Sequence, residues 1–149
     1  MGETGSLFLG EFQHTLDDKG RLTIPAKFRD GLGPRFIVTR GLDGCLFAYP
    51  LSEWQVLESR LKALPLTKAD ARAFVRILFS GAAESEMDRQ GRITLPPPLR
   101  EYAKIEKDVV VVGVSNRVEI WAKEVWDRYV AAAETSFEEI AESLEGLGL

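Results

Sequence analysis

The sequence predicts a mainly β protein with appended helices, an α+β fold assembled from two copies of one unit. Two observations carry the prediction. A motif, Asp-x-x-Gly-Arg followed by hydrophobic-Thr-hydrophobic-Pro, occurs as Asp17-Asp18-Lys19-Gly20-Arg21-Leu22-Thr23-Ile24-Pro25 and again as Asp88-Arg89-Gln90-Gly91-Arg92-Ile93-Thr94-Leu95-Pro96, 71 residues later. Around it the correspondence continues: Phe28-Arg29 answers Leu99-Arg100, and Tyr49 and Trp54 answer Trp121 and Trp126 after one inserted residue. Two copies do not make a solenoid, which needs several stacked units. They describe a duplicated, pseudo-symmetric pair, divided as residues 7–80 and 81–149.

Within each copy the elements follow from local chemistry. Asp17 to Gly20 and Asp88 to Gly91 fit a type I turn, with Asp first and Gly fourth; the Asp carboxylate can accept nearby backbone N–H groups and Gly tolerates positive φ. After each turn the residues alternate. Leu22 and Ile24 point one way and Arg21 and Thr23 the other, as do Ile93 and Leu95 against Arg92 and Thr94. Pro25 and Pro96 end these strands, and Pro25 suits the first turn of a short helix through Lys27 and Phe28. The Pro96-Pro97-Pro98 run predicts a shorter helix in the second copy.

Phe36-Ile37-Val38 and Val109-Val110-Val111-Val112 read as buried strands, each joined to a second strand by a turn bearing Gly, Asn or Asp. Trp54, Leu57, Leu61 and Leu64 form a helical apolar stripe, Phe74, Val75, Leu78 and Phe79 mark a linker helix, and Phe137, Ile140, Ala141, Leu144 and Leu147 form a terminal stripe. Thr67 with Asp70, and Ser136 with Glu139, have the spacing of capping boxes at the start of the helix that closes each half. The terminal stripe, predicted over 136–147, is short and acidic on its other face, which suits packing on a neighbouring subunit.

A chain of 149 residues, 45% hydrophobic, can bury a core but has little room beyond two compact halves. No apolar run has transmembrane length and no signal-peptide pattern is present, so the expectation is a cytoplasmic protein with no membrane partner. Met1-Gly2 with Ser6 matches an acyl-anchor pattern only weakly, since no basic cluster follows. Cys45 is alone and lies in an apolar strand, read as core, and no Cys/His cluster predicts a metal. The net charge of −4 argues against nucleic-acid binding, but the five glutamates of residues 134–149 account for it: without them, residues 1–133 stand at +1. Binding must then rest on a few well-placed cations multiplied by oligomer copies, where avidity can add ~10²–10⁴ in affinity.

The stretch from Gly10-Glu11-Phe12-Gln13-His14-Thr15-Leu16-Asp17 into Lys19-Gly20-Arg21-Leu22-Thr23-Ile24-Pro25 resembles the signature of the MraZ family of bacterial transcriptional regulators. The resemblance covers nearly the whole chain from about Leu7. It implies two AbrB-like units with a swapped-hairpin, double-split β-barrel core, a ring-shaped homo-oligomer, and binding to short direct repeats of double-stranded DNA in the promoter of the cell-division and cell-wall gene cluster, hence a nucleoid-associated repressor. The family's Asp-x-x-x-Arg elements map onto Asp17 and Arg21, and onto Asp88 and Arg92.

Arg21, Arg92, Lys19 and Arg89 are therefore the expected DNA contacts, with Asp17, Gly20, Asp88 and Gly91 forming the turns. The alternative for Asp and Arg is a surface ion pair without further role. An acid dyad of the two aspartates is disfavoured because Lys19 and Arg21 would keep Asp17 ionised. His14 does not recur, since Ser85 takes its place in the second copy, and is read as structural. No phosphate loop, nucleophile elbow, cofactor motif or small-molecule site is predicted. A competing reading is an antitoxin-like AbrB protein-binding module whose acidic tail grips a partner.

Overall fold

The computed structural model describes residues 7–148; the Met1-Gly2-Ser6 pattern lies outside them. The strands are β1 (Phe8–Thr15), β2 (Arg21–Thr23), β3 (Arg35–Arg40), β4 (Leu46–Pro50), β5 (Ala83–Glu86), β6 (Arg92–Thr94), β7 (Asp108–Ser115) and β8 (Arg117–Ala122). The helices are α1 (Ala26–Leu32), α2 (Leu51–Lys62), α3 (Ala69–Ser80), α4 (Pro97–Tyr102), α5 (Lys123–Thr135) and α6 (Phe137–Ser143).

The repeats interlock. Six strands form an antiparallel sheet in the order β1-β7-β8-β4-β3-β5, and β2 pairs with β6 in a separate ribbon. That order is a palindrome of equivalents: β1 matches β5, β7 matches β3, and β8 matches β4. Each outer strand has crossed over to the other repeat's hairpin, β1 along β7 from Phe8↔Ser115 to Thr15↔Asp108, and β5 along β3 from Arg35↔Glu86 to Val38↔Ala83. In the ribbon Leu22 lies opposite Ile93, its own counterpart, so the local two-fold axis passes between them. This is the swapped-hairpin, AbrB-like α+β architecture that the family resemblance implied.

Strand alternation sorts the apolar residues into two cores. Val109, Val111, Phe36, Val38, Leu46 and Ile120 face the interior closed by β2, β6, α1 and α4. Val110, Val112, Phe47, Tyr49 and Trp121 face the other side, where Trp54 and Leu57 of α2 and Trp126 of α5 cover them. Because both faces are covered, the valine run is continuous rather than alternating with polar residues. The aromatic correspondence holds in space: Tyr49 packs on Trp54 with centroids 6.1 Å apart, and Trp121 on Trp126 at 5.1 Å.

The helix ends depart from the sequence expectations. Neither capping box forms. Lys68, with extended backbone, caps α3, so Thr67 lies one residue too early. Ser136 does cap α6, but it also ends α5, and its φ of −110° and ψ of 11° do not suit a side-chain cap. The terminal helix stops at Ser143, short of residue 147, because Leu144 turns to an extended conformation and Gly146 has positive φ. Helix α2 ends at Lys62, which leaves Leu64 outside it, and Cys45 precedes β4 in the turn, fully buried. The shorter second helix is borne out: α4 has 6 residues against 7 in α1.

Candidate nucleic-acid interface

Each motif folds as a tight hairpin. Gly20 N–H donates to Asp17 O at 3.0 Å and Asp17 N–H to Arg21 O at 3.0 Å, while Gly91 and Asp88 repeat the pattern at 3.0 and 2.9 Å. Gly20 and Gly91 have φ of +75° and +76°, the left-handed residue that follows a type I turn in a three-residue hairpin loop. The Asp carboxylate organises the turn. Asp17 Oδ1 accepts from Lys19 N–H and Arg21 N–H, both at 2.9 Å, and Asp88 Oδ1 accepts from Gln90 and Arg92 N–H at 2.9 Å each.

The arginine belongs to this arrangement. Arg21 Nε donates to Asp17 Oδ2 at 2.7 Å and Arg92 Nε to Asp88 Oδ2 at 2.8 Å. A surface ion pair therefore does form in both copies. It also orients the guanidinium, because the hydrogen bond to Asp uses Nε and leaves the Nη edge of the fork for another acceptor. The backbone N–H of Arg21, then its side chain and Lys19 N–H, hold the Asp17 carboxyl below the usual carboxylate range; Arg92 and Gln90 do the same for Asp88. Both aspartates are thus ionised at neutral pH.

The ribbon places the two arginines together. Arg21 lies opposite Thr94 and Thr23 opposite Arg92, so the four side chains share the outer face while Leu22 and Ile93 are buried inward. Arg21 and Arg92 are diagonal neighbours, whose Cα atoms in such a ladder are roughly 7–8 Å apart. Lys19 and Arg89 are exposed at the loop tips. All four candidate cations and all four turn residues thus sit in one ribbon-and-loop unit.

Two residues that the sequence reading did not assign also belong to it. Arg29 on α1 donates from Nε to Ile24 O at 2.8 Å, and Arg100 on α4 donates to Leu95 O at 3.0 Å. Their guanidinium groups lie against the glycines of the opposite repeat, Arg29 over Gly91 and Arg100 over Gly20. The signal was the Arg29/Arg100 correspondence itself, which gave no hint of the crossing.

His14 is half-buried on β1, and burial together with Arg29 lowers its pKa from 6.5. The buried Cys45 thiol donates to Leu42 O at 3.2 Å and is pushed up by burial, so it remains protonated. Among the described residues, no group of three or more His, Cys, Asp or Glu could hold a metal ion, and no helix is long and apolar enough to cross a membrane.

Comparison with known proteins matches both halves of the chain to one family. The family described as "MraZ protein, putative antitoxin-like" matches twice, over residues 7–77 and 78–146. The transcriptional regulator MraZ of Desulforamulus reducens is 66% identical over 141 residues, covering 95% of this chain and 99% of that protein. Its namesake in Pelotomaculum thermopropionicum is 62% identical over 143 residues, covering 96% and 99%. That of Natranaerobius thermophilus is 62% identical over 138 residues, covering 93% and 96%. These relatives are named as regulators and not as enzymes. With both of its repeats matched and near full-length relatives at this identity, the chain belongs to the MraZ family.

Proposed function

We propose that this protein is a sequence-specific DNA-binding transcriptional regulator that engages double-stranded promoter repeats through its two loops, one from each of residues 7–80 and 81–149. The observation that carries the reading is the β2–β6 ribbon, with Arg21 and Arg92 on its outer face and Lys19 and Arg89 at its loop tips. A two-stranded ribbon fits the major groove, and an arginine fork matches guanine O6 and N7. Arg21 and Arg92, oriented by Asp17 and Asp88, read bases or grip phosphates; Lys19 and Arg89 contact phosphates. The protein acts as a ring-like homo-oligomer whose several copies offset the small number of cations in each chain, and it works as a repressor of the cell-division and cell-wall gene cluster. The name shared by the relatives supports the regulatory role.

Anisotropy titration of the protein's own upstream DNA tests the reading. Arg21→Ala and Arg92→Ala should each weaken specific binding by ~1–3 kcal/mol per engaged subunit if the fork pairs with guanine, with the fold retained. Wild-type affinity in both variants at matched salt would refute it.

The antitoxin-like alternative draws on one observation: α6 buries none of its residues within the chain and is acidic in its first turn. It predicts copurification with a protein partner, whereas the DNA reading predicts retention on heparin at low salt.

A further inference from the structure

The two loops are cross-held. The carbonyl of Gly20 accepts from Leu95 N–H of the other repeat at 2.9 Å, and that of Gly91 accepts from Ile24 N–H at 2.8 Å. Above each glycine lies an arginine from the opposite repeat's short helix. A Cβ added to Gly91 would overlap the Arg29 guanidinium, and one added to Gly20 would lie 3.1 Å from Arg100 Cζ. Gly20 and Gly91 are buried although both sit in turns, because these guanidinium groups cover them. Between α1 and the second loop runs a shallow cleft of about 350 Å³, lined by Arg29, Asp30, Met87, Asp88 and Arg89 among others.

We propose that Arg29 and Arg100 are positioning residues for DNA recognition, each setting the recognition loop of the opposite repeat, so that the two loops are presented to DNA as one unit. This rests on the DNA reading above. The planar guanidinium carries the function: one edge is fixed to the carbonyl of Ile24 or Leu95, and its face lies on the flat glycine backbone, which only a residue without Cβ allows. A lysine ammonium, a compact charge without a plane, cannot do both. The loops therefore need glycine for two reasons, the positive φ and the stacked arginine.

A double-mutant cycle tests the crossing. Gly91→Ala carries backbone strain and a clash with Arg29; in the Arg29→Ala background only the strain remains. Arg29→Ala/Gly91→Ala should therefore bind promoter DNA more tightly than the product of the single effects predicts, by roughly two- to hundredfold for residues in contact. Arg29→Ala/Gly20→Ala, which joins an arginine to the glycine of its own repeat, should be multiplicative within about twofold. The Arg100/Gly20 cycle should show weaker coupling than Arg29/Gly91, because its contact is looser. Arg29→Lys should fail to restore affinity, with the salt slope of binding unchanged, since a positioning residue touches no phosphate.

Hydrogen–deuterium exchange on DNA-free protein reads the geometry by itself. Arg29→Ala should accelerate exchange over residues 86–94 more than over 15–23, and Arg100→Ala should do the reverse. If both variants loosen only their own repeat's loop and the cross-repeat cycles are multiplicative, the proposal is wrong. If exchange crosses over but no variant changes DNA binding, the positioning role fails while the brace stands. If wild type binds no DNA, the DNA reading fails and the exchange pattern still decides the brace.

Discussion

Removing the side chains on the two-fold axis should expose how far the repeats fold as one body. Leu22 and Ile93 are 0% and 1% exposed and face each other across the β2–β6 ribbon. Truncating either to alanine removes a fully buried aliphatic group, at a typical cost of ~2–5 kcal/mol. For a chain of this size each kcal/mol shifts the thermal midpoint by ~2–4 °C, so each single variant should melt roughly 4–20 °C lower. The double variant should lose less than the sum, by ~0.5–3 kcal/mol, because one enlarged cavity replaces two. A distant pair, Leu22→Ala with Leu61→Ala on α2, should be additive. The assay is urea unfolding at several protein concentrations, followed by far-UV circular dichroism and by fluorescence of Trp54, Trp121 and Trp126. Since Trp54 lies in the first repeat and the others in the second, interlocked repeats predict coincident transitions. Strict additivity of Leu22 and Ile93, or two separated transitions, would refute the reasoning.

Three further outcomes are expected. The logarithm of DNA affinity should fall linearly with the logarithm of salt, and Lys19→Ala or Arg89→Ala should make the slope shallower by about 0.9 for each phosphate contact removed, without altering sequence preference; a salt-independent affinity would contradict the loop contacts. His14 has a folded pKa below its unfolded 6.5, so the unfolded chain binds the extra proton; stability should decline as pH falls below 6.5 and level off below the folded value, and His14→Gln should flatten that part of a urea-midpoint series while leaving values above pH 7 unchanged. Deletion after Glu134, or Leu144→Glu alone, should shrink the particle in sedimentation and weaken DNA binding through lost avidity, since Phe137, Ile140, Leu144 and Leu147 are exposed in the single chain; an unchanged large oligomer would show that the tail has no part in assembly.

The sequence was most legible where one local rule suffices. Asp, Gly and Pro defined both turns and strand ends, and the two-residue period placed Leu22, Ile24, Ile93 and Leu95 inside. The 71-residue offset located equivalent elements but could not show the exchange of β1 and β5, because a swapped strand has the same alternation as an unswapped one; that feature entered through family resemblance. The capping boxes were misread because spacing alone carries no φ/ψ: Ser136 has the right residue three positions before Glu139 and the wrong backbone for a cap. Arg29 and Arg100 were visible as a repeated pair, yet their role depends on contacts across 62 and 80 residues of chain that no local pattern encodes.

The acidic total illustrates why position outranks composition here. Five glutamates in residues 134–149 account for the negative balance, and they lie beyond the sheet and ribbon in sequence. At ~0.15 M salt, exposed charges farther apart than ~8 Å are largely screened from one another, so what a phosphate or base would meet at the ribbon is the local set. There the motif carboxylates Asp17 and Asp88 are each engaged by two backbone N–H groups and one Nε. Their charge is therefore spent within the turn, and its effect on the arginine is to fix the fork's direction. An arginine held this way has less rotamer freedom to lose on contact with DNA, and so retains more of its hydrogen-bond energy as affinity. The Asp-x-x-x-Arg spacing thus joins turn, charge and orientation in one five-residue unit, with the two units brought side by side by the β2–β6 pairing.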